Sequence, residues 1–319
     1  MNDKEYIESV EKLNSEYISL VRSTEYKKYT SGITVRRLLK DKQYSTLFDY
    51  YYDLLIKKFK KRLVRTKNED INQNYLFYDN DELKDVVLKD IKDKKKVVYT
   101  CVLGDYDTVD DPLLLTENTD YIIYTDKDIR SDIWKVRDIP KDIYDKFNGD
   151  LTLINRYIKM HPFELFKDYD YALYVDGNIR VVSDMNPVFS KSDNMTGIGI
   201  HLHNHRYDLY DEGLYCIKRG KGNRKKIISL LKKIKEEGFP RYYGLCECCI
   251  FSVDLKNKIA NKIMDDWWNS FYESGAMRDQ LLFPYVLWKN EILVEELGIL
   301  GTNVEVNPKF RKKPHINSL

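Results

Sequence analysis

The chain has 319 residues, 43% of them hydrophobic, which suffices for one large α/β domain with an appendage. A net charge of +2 makes no demand for a nucleic-acid partner, and no window reaches the apolar length of a bilayer span. Five cysteines and an N-terminus (Met-Asn-Asp-Lys-Glu) without the layout of a signal peptide point to reduced thiols in a cytoplasm.

Residues 1–95 read as a helical accessory segment. Ile7, Val10, Leu13, Tyr17, Leu20 and Val21 recur at helical spacing, and Thr30-Ser31-Gly32 breaks the pattern. A second helical pattern runs through Leu38, Leu39, Leu47, Phe48, Tyr51, Leu54 and Leu55. It ends in a basic run that includes Lys57, Lys58, Lys60, Lys61, Arg62, Arg65 and Lys67. Such a run fits a solvated helix face, or a peripheral contact with anionic lipid headgroups at the inner side of a membrane. Residues 69–95 are polar and charged, a linker or last helix before the core.

The character changes at Lys96. Val97-Val-Tyr-Thr-Cys-Val-Leu103 is a buried strand that runs into Gly104-Asp105-Tyr106-Asp107. This is how a doubly wound sheet begins, with its nucleotide-approach loop after the first strand. The loop is neither GxGxxG nor GxxxxGK[ST], so a dinucleotide fingerprint and a P-loop are both excluded. Further strands are predicted at 121–125, ending on Asp126, and at 133–136. A helix over 151–166 carries Asn155, Arg156, Lys159 and His161. Arg156 and Lys159 are three apart and share a face, which suits either a diphosphate clamp or a basic solvated surface.

Tyr171-Ala-Leu-Tyr-Val-Asp176-Gly177-Asn178 is a short buried strand ending on an acid, a glycine and an amide. Asp176 and Asn178 are thereby expected at the mouth of a cleft, although a plain Asp-Gly turn explains the same residues. His201, His203 and His205 alternate after Gly197-Ile-Gly-Ile200, and one of them is expected to reach the site. Residues 221–238 form a basic structural helix. Cys246, Cys248 and Cys249 lack paired Cys-x-x-Cys spacing and read as buried thiols, not a zinc site. Glu247, an acid inside that apolar strand, needs a reason to be there. Arg278-Asp279-Gln280 opens an apolar helix, where Asp279 acts as a cap or as a substrate ligand or base. Residues 306–319 read as a loosely ordered basic tail.

Taken in order, these pieces resemble a glycosyltransferase-like family once catalogued only as a domain of unknown function, found among plant seed-mucilage proteins and bacterial polysaccharide loci. The matching residues are Tyr99-Thr100 with Gly104 to Asp107, Thr125-Asp126, Asn155-Arg156 with Lys159 and His161-Pro162, and Tyr169-Asp170 with Tyr174 to Asn178. They continue with His203, Arg206, Tyr210 and Glu212, then Trp267-Trp268, Arg278-Asp279-Gln280 and Phe283-Pro284-Tyr285. The resemblance implies a GT-A-like mixed sheet over 96–305 with a Rossmann-like nucleotide-binding half. It implies a hexosyl transfer from a nucleotide-diphosphate sugar, of UDP type, to a glycan or lipid-linked polysaccharide precursor. Donor contacts then fall to Gly104, Asp105, Tyr106, Asp107, Asp126, Arg156, Lys159, His161, Asp176, Gly177, Asn178 and Arg206. Acceptor contacts fall to Glu212, Arg278 and Gln280, and catalytic roles to Asp176, Asp279 and Glu247.

Asp176-Gly177-Asn178 fills the place of the usual Asp-x-Asp metal motif, with Asn178 for the second acid. An amide oxygen is a weaker ligand for a divalent ion than a carboxylate. Either Mn²⁺ or Mg²⁺ is held by Asp176 and His203, or Arg156, Lys159 and Arg206 neutralise the leaving diphosphate. Inversion and retention both remain open, as do a two-carboxylate glycoside hydrolase and a sugar-binding protein without turnover.

Overall fold

The computed structural model describes residues 3–23, 91–104 and 107–314. The chain divides into two units, Met1–Asn80 and Asp81–Leu319, and in the first the described element is helix α1 (Asp3–Arg22). The second helical pattern, the basic run at 57–67 with its membrane reading, most of the 69–95 stretch, and Asp105 and Tyr106 lie outside the described residues.

Strand β1 (Lys96–Val102) is buried along its whole length. Alternation sends Val97, Tyr99 and Cys101 into one core and Val98 and Val102 into another, so this continuous apolar run is a strand covered on both faces. β2 (Thr119–Thr125) and β3 (Lys135–Arg137) are added in parallel on one side. Two helices follow, α2 (Lys141–Lys146) and α3 (Leu151–Met160). Pro162 has no N–H to give, so it ends the helix expected to reach residue 166 and opens a separate turn, α4 (Pro162–Leu165). β4 (Tyr171–Val175) then pairs in parallel with the other side of β1. The direction of strand addition therefore reverses between β1 and β4. In open sheets, ligands enter the crevice at the carboxyl ends of the strands flanking such a point.

Beyond β4 come β5 (Ile179–Val181), α5 (Asn186–Ser190) and β6 (Ile198–Leu202). Helices α6 (Leu209–Lys218) and α7 (Arg224–Glu236) follow, the second starting at an Asn223 cap. β7 (Cys246–Asp254) is inserted antiparallel between β4 and β6, and α8 (Lys258–Ser274) buries Trp267 and Trp268. The last predicted helix is shorter than its pattern. A 3-10 turn at Asp279–Leu281 precedes α9 (Phe283–Lys289), whose first turn carries Pro284. β8 (Gly298–Ile299) completes a seven-stranded sheet of order β3-β2-β1-β4-β7-β6-β8, parallel from β3 to β4 and mixed beyond. This is the mixed α/β sheet with a Rossmann-like half that the sequence predicts.

The chain end departs from the loose tail expected after residue 306. β9 (Phe310–Lys312) pairs antiparallel with β5, which ties this segment to the residues just after Asp176. Among the described residues no helix is long and apolar enough to cross a membrane.

Candidate active site

A cavity of about 820 Å³ opens at the carboxyl ends of β1 and β4. The first shaping residue is Gly177. A Cβ there would lie 2.3 Å from Val102 Cγ2, so the turn after Asp176 can pass the end of β1 only without a side chain. The Asp176 N–H donates to the Cys249 carbonyl (2.9 Å), continuing the β4–β7 ladder and fixing where the carboxylate leaves the strand.

One wall comes from α3. Asp150 caps it by accepting from the Thr152 and Leu153 N–H groups, and Asn155 Nδ2 donates to the Cys101 carbonyl (2.7 Å), pinning the helix to β1. Lys159 then points inward with its side chain 2% exposed. Its ammonium lies 2.7 Å from Asp279 Oδ2 and 3.8 Å from Asp176 Oδ1, and 4.9 Å from the centre of the Tyr174 ring. Burial alone would lower the Lys159 pKa; Asp279 and then Asp176 outweigh it and raise it. Arg156, on the same helix face, reaches Asp279 Oδ2 at 3.3 Å. Burial pushes the Asp279 carboxyl up, but Arg156, Lys159 and Arg278 overcome it and hold the group well below the usual carboxylate range. A carboxylate so stabilised has little basicity. It is no helix cap, since its side chain is spent on the two cations.

The opposite wall carries Glu247, His203, Arg206, Glu212 and, from β9, Lys312. β6 ends at Leu202, so the three histidines do not share one strand face, and two of them, not one as expected, reach the cavity. His201 is buried against Asn307 Nδ2 (2.9 Å) away from the cavity, while His203 and His205 reach the cavity on the following loop. His203 Nδ1 accepts from the backbone N–H groups of His205 and Arg206, both at 3.1 Å. Its Nε2 faces Glu247 Oε2 at 3.5 Å and Arg206 Nη2 at 3.2 Å. Burial, then Arg206, lowers the His203 pKa to about 4, so the ring is neutral at pH 7. Arg206 pairs with Glu212 and lies 4.0 Å over the Tyr215 ring. Glu247 remains 18% exposed, with Lys312 Nζ 3.6 Å from Oε1. Arg278 Nε and Gln280 Nε2 are buried without a hydrogen-bond partner among the described residues, in residues that line the cavity.

The structure thus brings together Asp107, Arg156, Lys159, Asp176, Gly177, His203, Arg206, Glu212, Glu247, Arg278, Asp279 and Gln280 around one cavity. Four predicted residues do not line it. His161 stacks on Tyr157 (3.7 Å between ring centres) and packs against Trp268. Asp126 accepts from the Gly104 N–H with both oxygens (3.0 and 3.1 Å), holding the turn at Gly104, whose φ is +62°. Asn178 is buried and turned toward the chain end, where its Nδ2 donates to the Lys313 carbonyl (2.7 Å). Lys312 was hidden in the supposed tail, because a three-residue strand has no periodicity to read.

The donor set does not fit a divalent ion held by Asp176 and His203. His203 Nε2 lies 3.2 Å from the Arg206 guanidinium, whose fixed positive charge opposes a cation at that nitrogen. Asn178 points elsewhere, and Asp176 already faces the Lys159 ammonium. Among the described residues no group of three or more His, Cys, Asp or Glu is arranged to hold a metal. The cysteines of β7 are buried thiols whose pKa values burial pushes up.

No family model matches this chain, and no curated protein matches its sequence. Solved structures with a similar arrangement include the galactosyltransferase LgtC in complex with donor and acceptor sugar analogues (12% identity, TM-score 0.36, 60% of this chain and 70% of that one). Others are the bifunctional glycosyltransferase WbbM (12%, 0.40, 65% and 39%) and mouse xyloside xylosyltransferase 1 (8%, 0.38, 63% and 83%).

Proposed function

We propose that this chain is a glycosyltransferase that moves a sugar from a nucleoside-diphosphate sugar to a hydroxyl of a glycan or lipid-linked precursor. The observation that carries the reading is the pairing of two unlike walls at the β1–β4 crevice. Asp176 stands at the strand end against a buried cation, and across from it Glu247 is an acid with only long contacts. A carboxylate at such a rim accepts hydrogen bonds from donor ribose or sugar hydroxyls. The loop at 104–107 takes the nucleoside end of the donor. Arg206 and the cations beside it offset the negative charge that develops on the departing diphosphate as the anomeric C–O bond breaks. Glu247 receives the proton of the acceptor hydroxyl as the new C–O bond forms. Glu212, Arg278 and Gln280 orient the acceptor, and the two unpartnered polar atoms at 278 and 280 support that side of the site.

The test is release of free nucleoside diphosphate from a panel of nucleotide sugars offered with oligosaccharide and lipid-linked acceptors. The wild-type chain is expected to release diphosphate from one donor, and Asp176→Ala to do so about 100-fold more slowly or worse. Equal release by the variant would remove Asp176 from the site, and no release from any donor would sink the reading.

A further inference from the structure

The short sheet of β5 and β9 buries Ile179, Val181 and Phe310 in the core on one side of the main sheet, and it also does one specific thing at the site. Asn178 clasps the chain end from both sides of its own residue. Its carbonyl accepts from the Lys313 N–H (2.8 Å), and its side-chain Nδ2 donates to the Lys313 carbonyl (2.7 Å). Pairing of Ile179 with Lys312 continues the same ladder. The residue thus fixed, Lys312, extends its side chain to the cavity wall with 28% of it exposed. Three carboxylates act on its ammonium: Glu247 at 3.6 Å, and Asp176 and Glu305 within electrostatic reach. At 3.6 Å the Glu247 contact is Coulombic and lies beyond hydrogen-bond distance, so the ammonium keeps N–H groups for a ligand.

We infer that Lys312, positioned by Asn178, is the built-in counter-cation for the donor's diphosphate, standing where an Asp-x-Asp pair would recruit a divalent ion. The inference rests on the donor reading proposed above and goes beyond it by naming the group that meets the diphosphate. The chemistry of position 178 follows directly. A carboxylate there would have no proton to donate to the Lys313 carbonyl, and it would bury a charge beside that oxygen. The amide is what the clasp requires, and the clasp delivers a cation to the cavity. A lysine suits the role because its ammonium is a compact point charge that pairs with phosphate oxygens without a fixed fork geometry.

The full chain is titrated with UDP, GDP, ADP and CDP, and with the matching monophosphates, in EDTA and in Mn²⁺. The wild type is expected to bind one diphosphate in EDTA, with little change on adding Mn²⁺. Lys312→Met should weaken that diphosphate about tenfold or more and the monophosphate much less, while Lys312→Arg keeps most of the affinity. Asn178→Ala should weaken it in the same sense, and adding it to Lys312→Met should cost nothing further, since both act through one ammonium. Wild-type binding that appears only with Mn²⁺, or undiminished binding by Lys312→Met, would overturn the inference and leave the donor reading standing. Failure of the wild type to bind any diphosphate under either condition would take both down. Should Asn178→Ala not fold, the two Lys312 variants decide the matter, because that side chain is partly exposed.

Discussion

Asp279 and Glu247 border the same cavity under opposite constraints. Asp279 is 6% exposed and is gripped by Lys159 at 2.7 Å and Arg156 at 3.3 Å. Glu247 is 18% exposed and has His203 at 3.5 Å and Lys312 at 3.6 Å. The buried acid is committed: its charge keeps an ammonium stable inside the protein, and its affinity for a proton is spent. The more open acid has only these longer contacts and keeps lone pairs toward the cavity. A carboxylate at a cavity is thus not a catalyst by position alone; burial and pairing decide whether it supports the structure or takes part in chemistry.

Breaking the buried side of this contrast should have the largest effect. Asp279→Ala takes from buried Lys159 its 2.7 Å partner, leaving only Asp176 at 3.8 Å, and is expected to cost about 3 kcal/mol of stability by denaturant unfolding. The double variant Lys159→Met/Asp279→Leu should recover most of that loss, since it removes both charges together. On the other side, Glu247→Gln should leave the unfolding midpoint nearly unchanged. It should lower kcat by about 100-fold or more in the donor-panel assay, as loss of a general base does. A large midpoint shift for Glu247→Gln, or a small one for Asp279→Ala, would reverse the comparison.

Acid titration sharpens it. Burial and then Arg206 hold His203 at about 4 in the folded chain, below the ordinary histidine value of 6.5. The unfolded chain therefore binds the extra proton first as pH falls. The contribution of His203, about 3 kcal/mol, is full above pH 6.5 and is lost progressively on descending to about pH 4. His201, lowered to about 3 by burial and then Lys312, loses its contribution over the same range and on down to about pH 3. Asp279, also held below its ordinary value, adds its own loss only below about pH 4. Melting curves across this range should show the histidine step first. His203→Asn, which keeps an acceptor for the two loop N–H groups, should reduce that step by about half, His201 supplying the rest. The smallest effect is expected at the turn itself. Gly177→Ala forces a Cβ against Val102 and should cost about 1–3 kcal/mol by overpacking, with a loss of diphosphate binding if the Asp176 carboxylate is displaced.

Much of this was legible along the chain. β1 and β4 announced themselves as apolar runs, Asp176 as an acid at a strand end, and Arg156 with Lys159 as one helix face. Each of these is a local property, carried by residues a few positions apart, and local periodicity survives folding. The fate of those side chains was not legible. Nothing near Asp279 in sequence shows that Lys159, 120 positions earlier, will neutralise it. The histidine alternation ran past the end of β6, so it misstated which rings share a face. Lys312 lay in a segment too short for any pattern, and Asn178, a departure from a metal motif in sequence, turned out to hold that segment in place. Spacing and capping within a few residues were enough to locate the long elements, such as β1, β4 and the helix that carries Arg156 and Lys159, but not the three-residue β9 or the breaks at Pro162 and Pro284. Only the tertiary structure decided which charges meet, which are buried and which stay open to a ligand, because ion pairing and desolvation depend on distances between segments far apart in the chain.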